Sequence, residues 1–265
     1  MNALRKYHAV LLATAQSSLA YPLEAFARAG FMVVLIFVFI QLWTVTFRVS
    51  GHGAIAGFDL PRMIWYLVLT ETVVLSCPRT FDKIDLEVKN GDLAYTLGKP
   101  YSYALFHAAA YLGNVLLTLP VNFAVGAALA WTLAGPPALP PALWPLVFVA
   151  VLLAIGLNFA VELTIGLLAF WFEDTFAFFW IYQKLTFTLG GLFLPLALFP
   201  GPLRAVAARL PFSAIAYAPA RLTAGFDAPL LLGTFATQLL WLAALCGVAA
   251  LIYRGGVRRL NINGG

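Results

Sequence analysis

Charge is what this sequence has least of. Of its 265 residues only 10% are Asp, Glu, Lys or Arg, while 62% are hydrophobic. A soluble domain carries about 25% charged residues, so this chain cannot cover a water-facing surface of its own size. That excludes a soluble enzyme, a nucleic-acid module and a secreted domain. Disorder is excluded by the same numbers, since it needs low hydrophobicity and high charge. Cysteine is nearly absent: Cys77 and Cys246 each sit in an apolar run and read as buried thiols, with no disulfide framework. The three histidines, His8, His52 and His107, are scattered, and no H-E-x-x-H or Cys/His cluster suggests a metal. No G-x-x-x-x-G-K-[ST] loop is present, because Gly98-Lys99 is followed by Pro100 and lacks the upstream glycine. The chain therefore does not bind ATP by that device.

Long hydrophobic runs are what it has instead. A transmembrane helix takes roughly 20 residues. Six spans are expected, at about 28–47, 62–78, 103–134, 142–171, 175–199 and 230–253. The expected fold class is an all-α polytopic membrane protein, a single transmembrane domain over 1–265. Residues 1–27 resemble a signal peptide only briefly, because the apolar stretch after Arg5-Lys6 is interrupted at Thr14. Leu4, Tyr7, Leu11, Ala15 and Leu19 instead share one helical face, which predicts a helix lying at the membrane interface. The formal net charge of +5 does not point to nucleic acid, since the basic residues sit between apolar runs. With both termini inside, cytoplasmic segments hold Arg5, Lys6, Arg28, Arg79, Lys83, Lys89, Lys99, Arg254, Arg258 and Arg259. The outer ones hold Arg48, Arg62, Arg204, Arg209 and Arg221, so the ratio is two to one in favour of this orientation.

Four features carry chemistry. Residues 79–102 form the longest hydrophilic stretch, with Ile84, Val88 and Leu93 in a frame of Asp82, Lys83, Asp85, Glu87, Lys89 and Asp92. This predicts an amphipathic helix at Phe81–Lys89 stopped by Asn90-Gly91. It reads either as a solvated loop or as a docking helix whose buried contact comes from Ile84 and Val88. The second feature is intramembrane charge: Glu71, Glu162 and Lys184 each cost roughly 2.5–3.5 kcal/mol if unpaired in lipid. Glu162 lies 11 residues before Glu173 and Lys184 lies 10 after Asp174. Both then fall roughly 15–16 Å deep, which predicts an ion pair that either holds the helices together or gates a path. The third is periodicity. His107, Tyr111, Asn114, Thr118, Asn122 and Gly126 form one stripe, and Phe172, Phe176, Phe179, Gln183, Thr186 and Gly190 form a seam. Such seams pack inside a subunit or face a partner or substrate. The fourth is 190–229, whose prolines at 195, 200, 202, 211, 219 and 229 forbid one continuous helix. Its apolarity predicts short helices re-entering the outer leaflet over 200–229.

In this order the elements resemble the membrane subunits of type-2 ATP-binding cassette transporters, the bacterial exporter class. The resemblance rests on Gly191, Pro195, Pro200, Leu210-Pro211-Phe212, Pro219 and Gly225, and on Gly91, Leu93, Leu97 and Pro100 in the loop. The tail Arg258…Gly264-Gly265 is similar to that of a bacterial permease subgroup. The resemblance implies a non-enzymatic half-transporter in the bacterial inner membrane, paired with an identical or paralogous permease and with separate ATPase subunits that carry ATP and Mg. No cofactor is implied on this chain. It also implies that Lys83, Ile84, Asp85, Glu87, Val88 and Lys89 couple to the ATPase. Spans two and five would flank the path, placing Glu71, Glu162, Lys184, Phe176, Phe179, Gln183 and Thr186 along it or at its gate. The alternative is a secondary transporter driven by an ion gradient. Such proteins often show internal repeats, and the two halves here do not repeat. Single cysteines near 55 and 137 should react with an impermeant maleimide added outside intact cells, and a cysteine at 90 should not. Labelling at 90 would invert the topology.

Overall fold

A computed structural model describes the backbone of residues 3–20 and 22–263. The side chains of Arg28, Leu97 and Arg259, and the pair Gly264-Gly265, lie outside what is described. The described residues form twelve α-helices and short 3-10 turns, with no strand. They are α1 (Ala3–Leu19), α2 (Pro22–Ser50), α3 (Leu60–Ser76), α4 (Thr80–Lys89), α5 (Asp92–Leu97) and α6 (Tyr103–Ala134). There follow α7 (Trp144–Leu167), α8 (Phe176–Leu189), α9 (Gly201–Ala207), α10 (Pro211–Ile215), α11 (Tyr217–Ala224) and α12 (Ala228–Asn263).

Among the described residues five helical segments are long and apolar enough to cross a membrane: Ala29–Ser50, Leu60–Lys89, Tyr103–Ala134, Pro141–Phe170 and Ala228–Arg258. The span expected at 175–199 is helical only over the 14 residues of α8. At 1.5 Å per residue these reach about 21 Å, short of a hydrocarbon core of ~30 Å. Its stop is local: the Gly190 N–H bonds back to Leu185 and Thr186, and Gly191 turns left-handed at φ +80°. The Gly191 carbonyl is then taken by the Tyr66 hydroxyl. Six continuous spans are therefore not observed; five are, with α8 as a shorter sixth element.

The centre of the bundle is α3. Asp59 caps its start by accepting from the Arg62 N–H at 2.9 Å, with Pro61 in the first turn. Met63, Tyr66, Val68 and Val73 are fully buried between α2, α6, α7 and α11. The polar stripe of α6 turns inward to α3: Thr118 Oγ1 donates to the Ser76 carbonyl at 2.9 Å and Asn122 Nδ2 to Ser76 Oγ at 3.0 Å. It is thus packing within the subunit. α1 also departs from a purely interfacial position. Its face lies along α6, where a Cβ at Gly113 would come within 2.5 Å of the Leu11 carbonyl. Ser18 donates to Asn114 Oδ1 at 2.9 Å, and the Tyr7 hydroxyl accepts from the Ser102 N–H at 2.9 Å. Leu4 and Leu19, at the ends of the predicted stripe, remain exposed.

The proline-rich segment resolves into α9, α10 and α11, the last two packed on α3, α7 and α12. Gln238, fully buried in α12, staples this segment to the bundle. Its Nε2 donates to the Ala150 carbonyl of α7 at 2.9 Å and to the Ala214 carbonyl of α10 at 3.0 Å. Cys77 Sγ lies 3.2 Å from the Val73 carbonyl, whereas Cys246 of α12 is exposed, not buried as its apolar run suggested. Replacing Gln238 with Leu removes both staples. Interhelical hydrogen bonds in membranes average ≈ 0.6 kcal/mol, so the variant should lose about 1–2 kcal/mol and melt earlier in detergent.

Candidate functional site: the foot of α4 and the outer face of α8

The first turn of a helix presents N–H groups with no partner in the helix itself. α4 has no cap of its own, because the Arg79 side chain makes no capping bond. The cap comes from another helix: Glu162 of α7 accepts the Thr80 N–H on Oε2 at 2.5 Å. Its other oxygen accepts from Asn158 Nδ2 at 3.3 Å, one turn earlier on α7. Asn158 Nδ2 also donates to the Tyr111 hydroxyl of α6 at 3.1 Å, and Asn158 Oδ1 accepts from the Tyr182 hydroxyl of α8. The Tyr111 hydroxyl in turn donates to the Ile155 carbonyl at 3.3 Å. Every one of these side chains is buried. The result is a connected polar network in an apolar bundle, tying the start of α4 to α6, α7 and α8.

Packing follows the same lines. The Phe81 ring stacks on Phe179 of α8 at 4.1 Å between centroids and 15° between planes. Ile84 is fully buried against Gly166, where a Cβ would meet Ile84 Cβ at 2.9 Å and Phe81 Cα at 3.1 Å. Val88 packs beside it. Asp85 is also turned in, accepting from Thr175 Oγ1 at 2.9 Å and pairing with Lys89 at 2.6 Å. Glu87 accepts from the Tyr103 hydroxyl at 2.8 Å and lies 3.5 Å from His107 Nε2. Ile84, Val88, Asp85 and Glu87, expected to meet a partner, therefore hold α4 to its own bundle. The helix itself is where the sequence predicts it, ended by Gly91 at φ +77°. What faces away is Asp82, Lys83, Leu86 (50% exposed) and Lys89, continued by Tyr95 (73% exposed) of α5 with Lys99 Nζ 4.3 Å above its ring. Beside the end of α4, Val88, Lys89, Phe170, Trp171, Phe172 and Glu173 line an open hollow of about 320 Å³.

The predicted Glu162–Lys184 pair is not formed. Equal depth requires a helix that runs on to Glu173, but α7 ends at Leu167 and a 3-10 turn and bend follow. Glu162 thus lies five residues from the helix end, about 8 Å in, and its oxygens are occupied by α4 and Asn158. Lys184 points the other way, exposed, with Nζ 5.1 Å above Trp180 and 5.8 Å above Phe187. Among the described residues it makes no ion pair. The predicted seam of α8 divides likewise: Phe179 and Thr186 are buried, Gln183 is half-buried, and Phe176 is exposed beside Trp180 and Ile181. Glu71 is buried in α3, away from this face. Among the described residues no three His, Cys, Asp or Glu come together as a metal would require.

The profile of the family described as ABC-2 family transporter protein matches residues 31–264. The chain belongs to that family. No curated protein sequence matches it significantly. As a permease of this family the chain is a multi-pass membrane component of a transporter, not itself catalytic. The network at α4 was half visible in the permease's sequence. Asn158 and Glu162 are polar neighbours one turn apart in an apolar helix, a pair that reads as one site. Tyr182, Thr80 and Thr175 carried no such signal. Glu162→Ala strands a buried N–H and should cost about 1–3 kcal/mol of stability; Glu162→Gln keeps an acceptor and should cost less. Combined with Lys184→Met, either change should be additive in detergent melting temperature, since the two side chains do not touch.

Proposed function

We propose that this permease is half of an ATP-driven exporter of the bacterial inner membrane, with both termini cytoplasmic. Two copies, or this chain and a paralogue, enclose the path, and a separate ATP-binding cassette ATPase drives it. The carrying observation is the outer face of α8. Lys184 stands exposed with Trp180 and Ile181 on an otherwise apolar helix among the membrane-spanning ones. An ammonium facing hydrocarbon costs roughly 2.5–3.5 kcal/mol on insertion scales, so this face belongs against protein or a water-filled path. A second permease placed there supplies both.

The drive enters at α4. This chain has no phosphate-binding loop, so ATP-linked movement reaches it through contact with another chain. The outward surface of Asp82, Lys83, Leu86, Lys89 and Tyr95 has the make-up of a docking patch: two apolar anchors in a charged rim. The hollow bounded by Phe170 and Trp171 adjoins it and offers a socket. Ile84 and Val88 then serve as the grip of α4 on α7, passing a push on the outer surface to the bundle.

The test is Lys83→Glu combined with Leu86→Asp in the tagged chain expressed in its native cell. Both positions are exposed, so insertion and melting should be unchanged. The ATP-binding cassette ATPase that co-purifies with the parent chain, identified by peptide mass spectrometry and by vanadate-sensitive ATP hydrolysis, should be lost at least tenfold. Undiminished co-purification would move the docking surface elsewhere, with α1 the next candidate.

A further inference from the structure

A second cavity, of about 220 Å³, lies between α6, α7 and α12. Its floor is α7, with Gly156, Phe159, Ala160 and Leu163, and its walls are α6 and α12. α6 and α12 meet at their feet, where the Tyr103 and Tyr253 rings stack at 5.8 Å and 16°. Above that stack a cleft stays open between Leu112 of α6 and Cys246 of α12, both exposed, while Ala160, Leu163 and Ala249 at its base are buried. No described residue fills it: a Cβ on Gly156 would meet no described atom within 4 Å.

We infer that this cleft binds one acyl chain of a bilayer phospholipid from the leaflet on the α4 side. Three observations converge on that occupant. The first is depth. The α6 lining lies five to nine residues above Tyr103, the α12 lining four to eleven residues before Tyr253, and the α7 lining four to eleven before Leu167. At 1.5 Å per residue the three together cover about 6–17 Å from the foot, inside segments long and apolar enough to cross a membrane. That matches the hydrocarbon of one leaflet, about half of a ~30 Å core. The second is chemistry. The exposed lining is wholly apolar, and a water needs two to four polar partners to stay in such a site. The third is size and access. At about 220 Å³ the cleft holds a stretch of one hydrocarbon chain and not a whole lipid, and its mouth between Leu112 and Cys246 opens sideways.

The site is joined to the rest of the molecule through Tyr111. Its ring lines the cleft, 5.1 Å from Phe159, while its hydroxyl sits in the network that reaches Glu162 and α4. A chain in the cleft backs the ring that the network depends on. The inference requires neither the ATPase nor a second permease, so it stands or falls apart from the proposed function.

The full chain is purified in detergent, washed free of lipid, and mixed with dioleoyl phosphatidylcholine; bound lipid is counted by native mass spectrometry. The parent chain should hold one phospholipid per chain through a wash that strips the rest. Gly156→Leu, which fills the cleft, should reduce that occupancy at least tenfold. Leu152→Phe, on the same helix but exposed and outside the lining, should leave it unchanged. If Gly156→Leu does not fold by size-exclusion chromatography, Ala249→Leu closes the cleft from α12 and takes its place. No retained phospholipid in the parent, equal occupancy in the filled variant, or equal loss with Leu152→Phe would each overturn the inference.

Discussion

One hydrogen bond organises the α4 end of this permease: the Thr80 N–H donated to Glu162. A helix that begins at the surface can leave its first N–H groups to water. α4 begins inside the bundle, at a point where Thr80 and Phe81 are both buried, and there each unmet polar group costs free energy. A cap within α4 would make it a free-standing helix. A cap borrowed from α7 makes the two helices one unit. Gly166 serves the same end, since only a missing side chain lets α4 lie close enough on α7 for its N-terminus to reach the carboxylate.

The remaining contacts of α4 divide by depth, and depth decides what they contribute. Asp85, Lys89 and Asp174 make a chain of ion pairs, but Lys89 and Asp174 are largely in solvent, where such pairs contribute about 0–1 kcal/mol. The buried members, Phe81 on Phe179 and Glu162 with Asn158, Tyr111 and Tyr182, are shielded from water and from salt. A force on the outward face of α4 is thus carried by the inner set into α6, α7 and α8 together. The charged set at the rim orients the helix and does little to stiffen it.

The architecture was legible in the sequence because lipid imposes it. Hydrophobic runs of about 20 residues and proline spacing led to the helices of the bundle, and the amphipathic period gave α4 to within a residue. The side on which α4 faces was not legible. Ile84 and Val88 look like a docking face when 79–102 is taken for a loop in water, yet they belong to the core because α4 folds back on α7. Period reports that a helix has two faces; it does not report which neighbour covers each. Depth failed for a related reason. Counting from Glu173 assumed a helix through Phe170–Thr175, where the chain instead bends, and that error placed Glu162 level with Lys184. The bend itself had a faint signature in Asp174-Thr175, two weak helix formers side by side.

Glu162 and Lys184 show two solutions to the same problem. Each is an ionisable group in an apolar segment, and each needs a partner before the segment is stable in lipid. Glu162 finds its partners within the chain, and a carboxylate that accepts from an N–H and an amide is a structural part. Lys184 finds only the faces of Trp180 and Phe187. Cation–π contact recovers about 0.5–2 kcal/mol, less than the cost of leaving an ammonium toward hydrocarbon. The shortfall is confined to one face of one short helix, α8, and that same helix is bound at its other face to the network that holds α4. The exposed face that carries Lys184 and the face that holds α4 are therefore opposite sides of a single 14-residue element; under the function proposed above, a push on α4 would reach whatever faces Lys184 through that element.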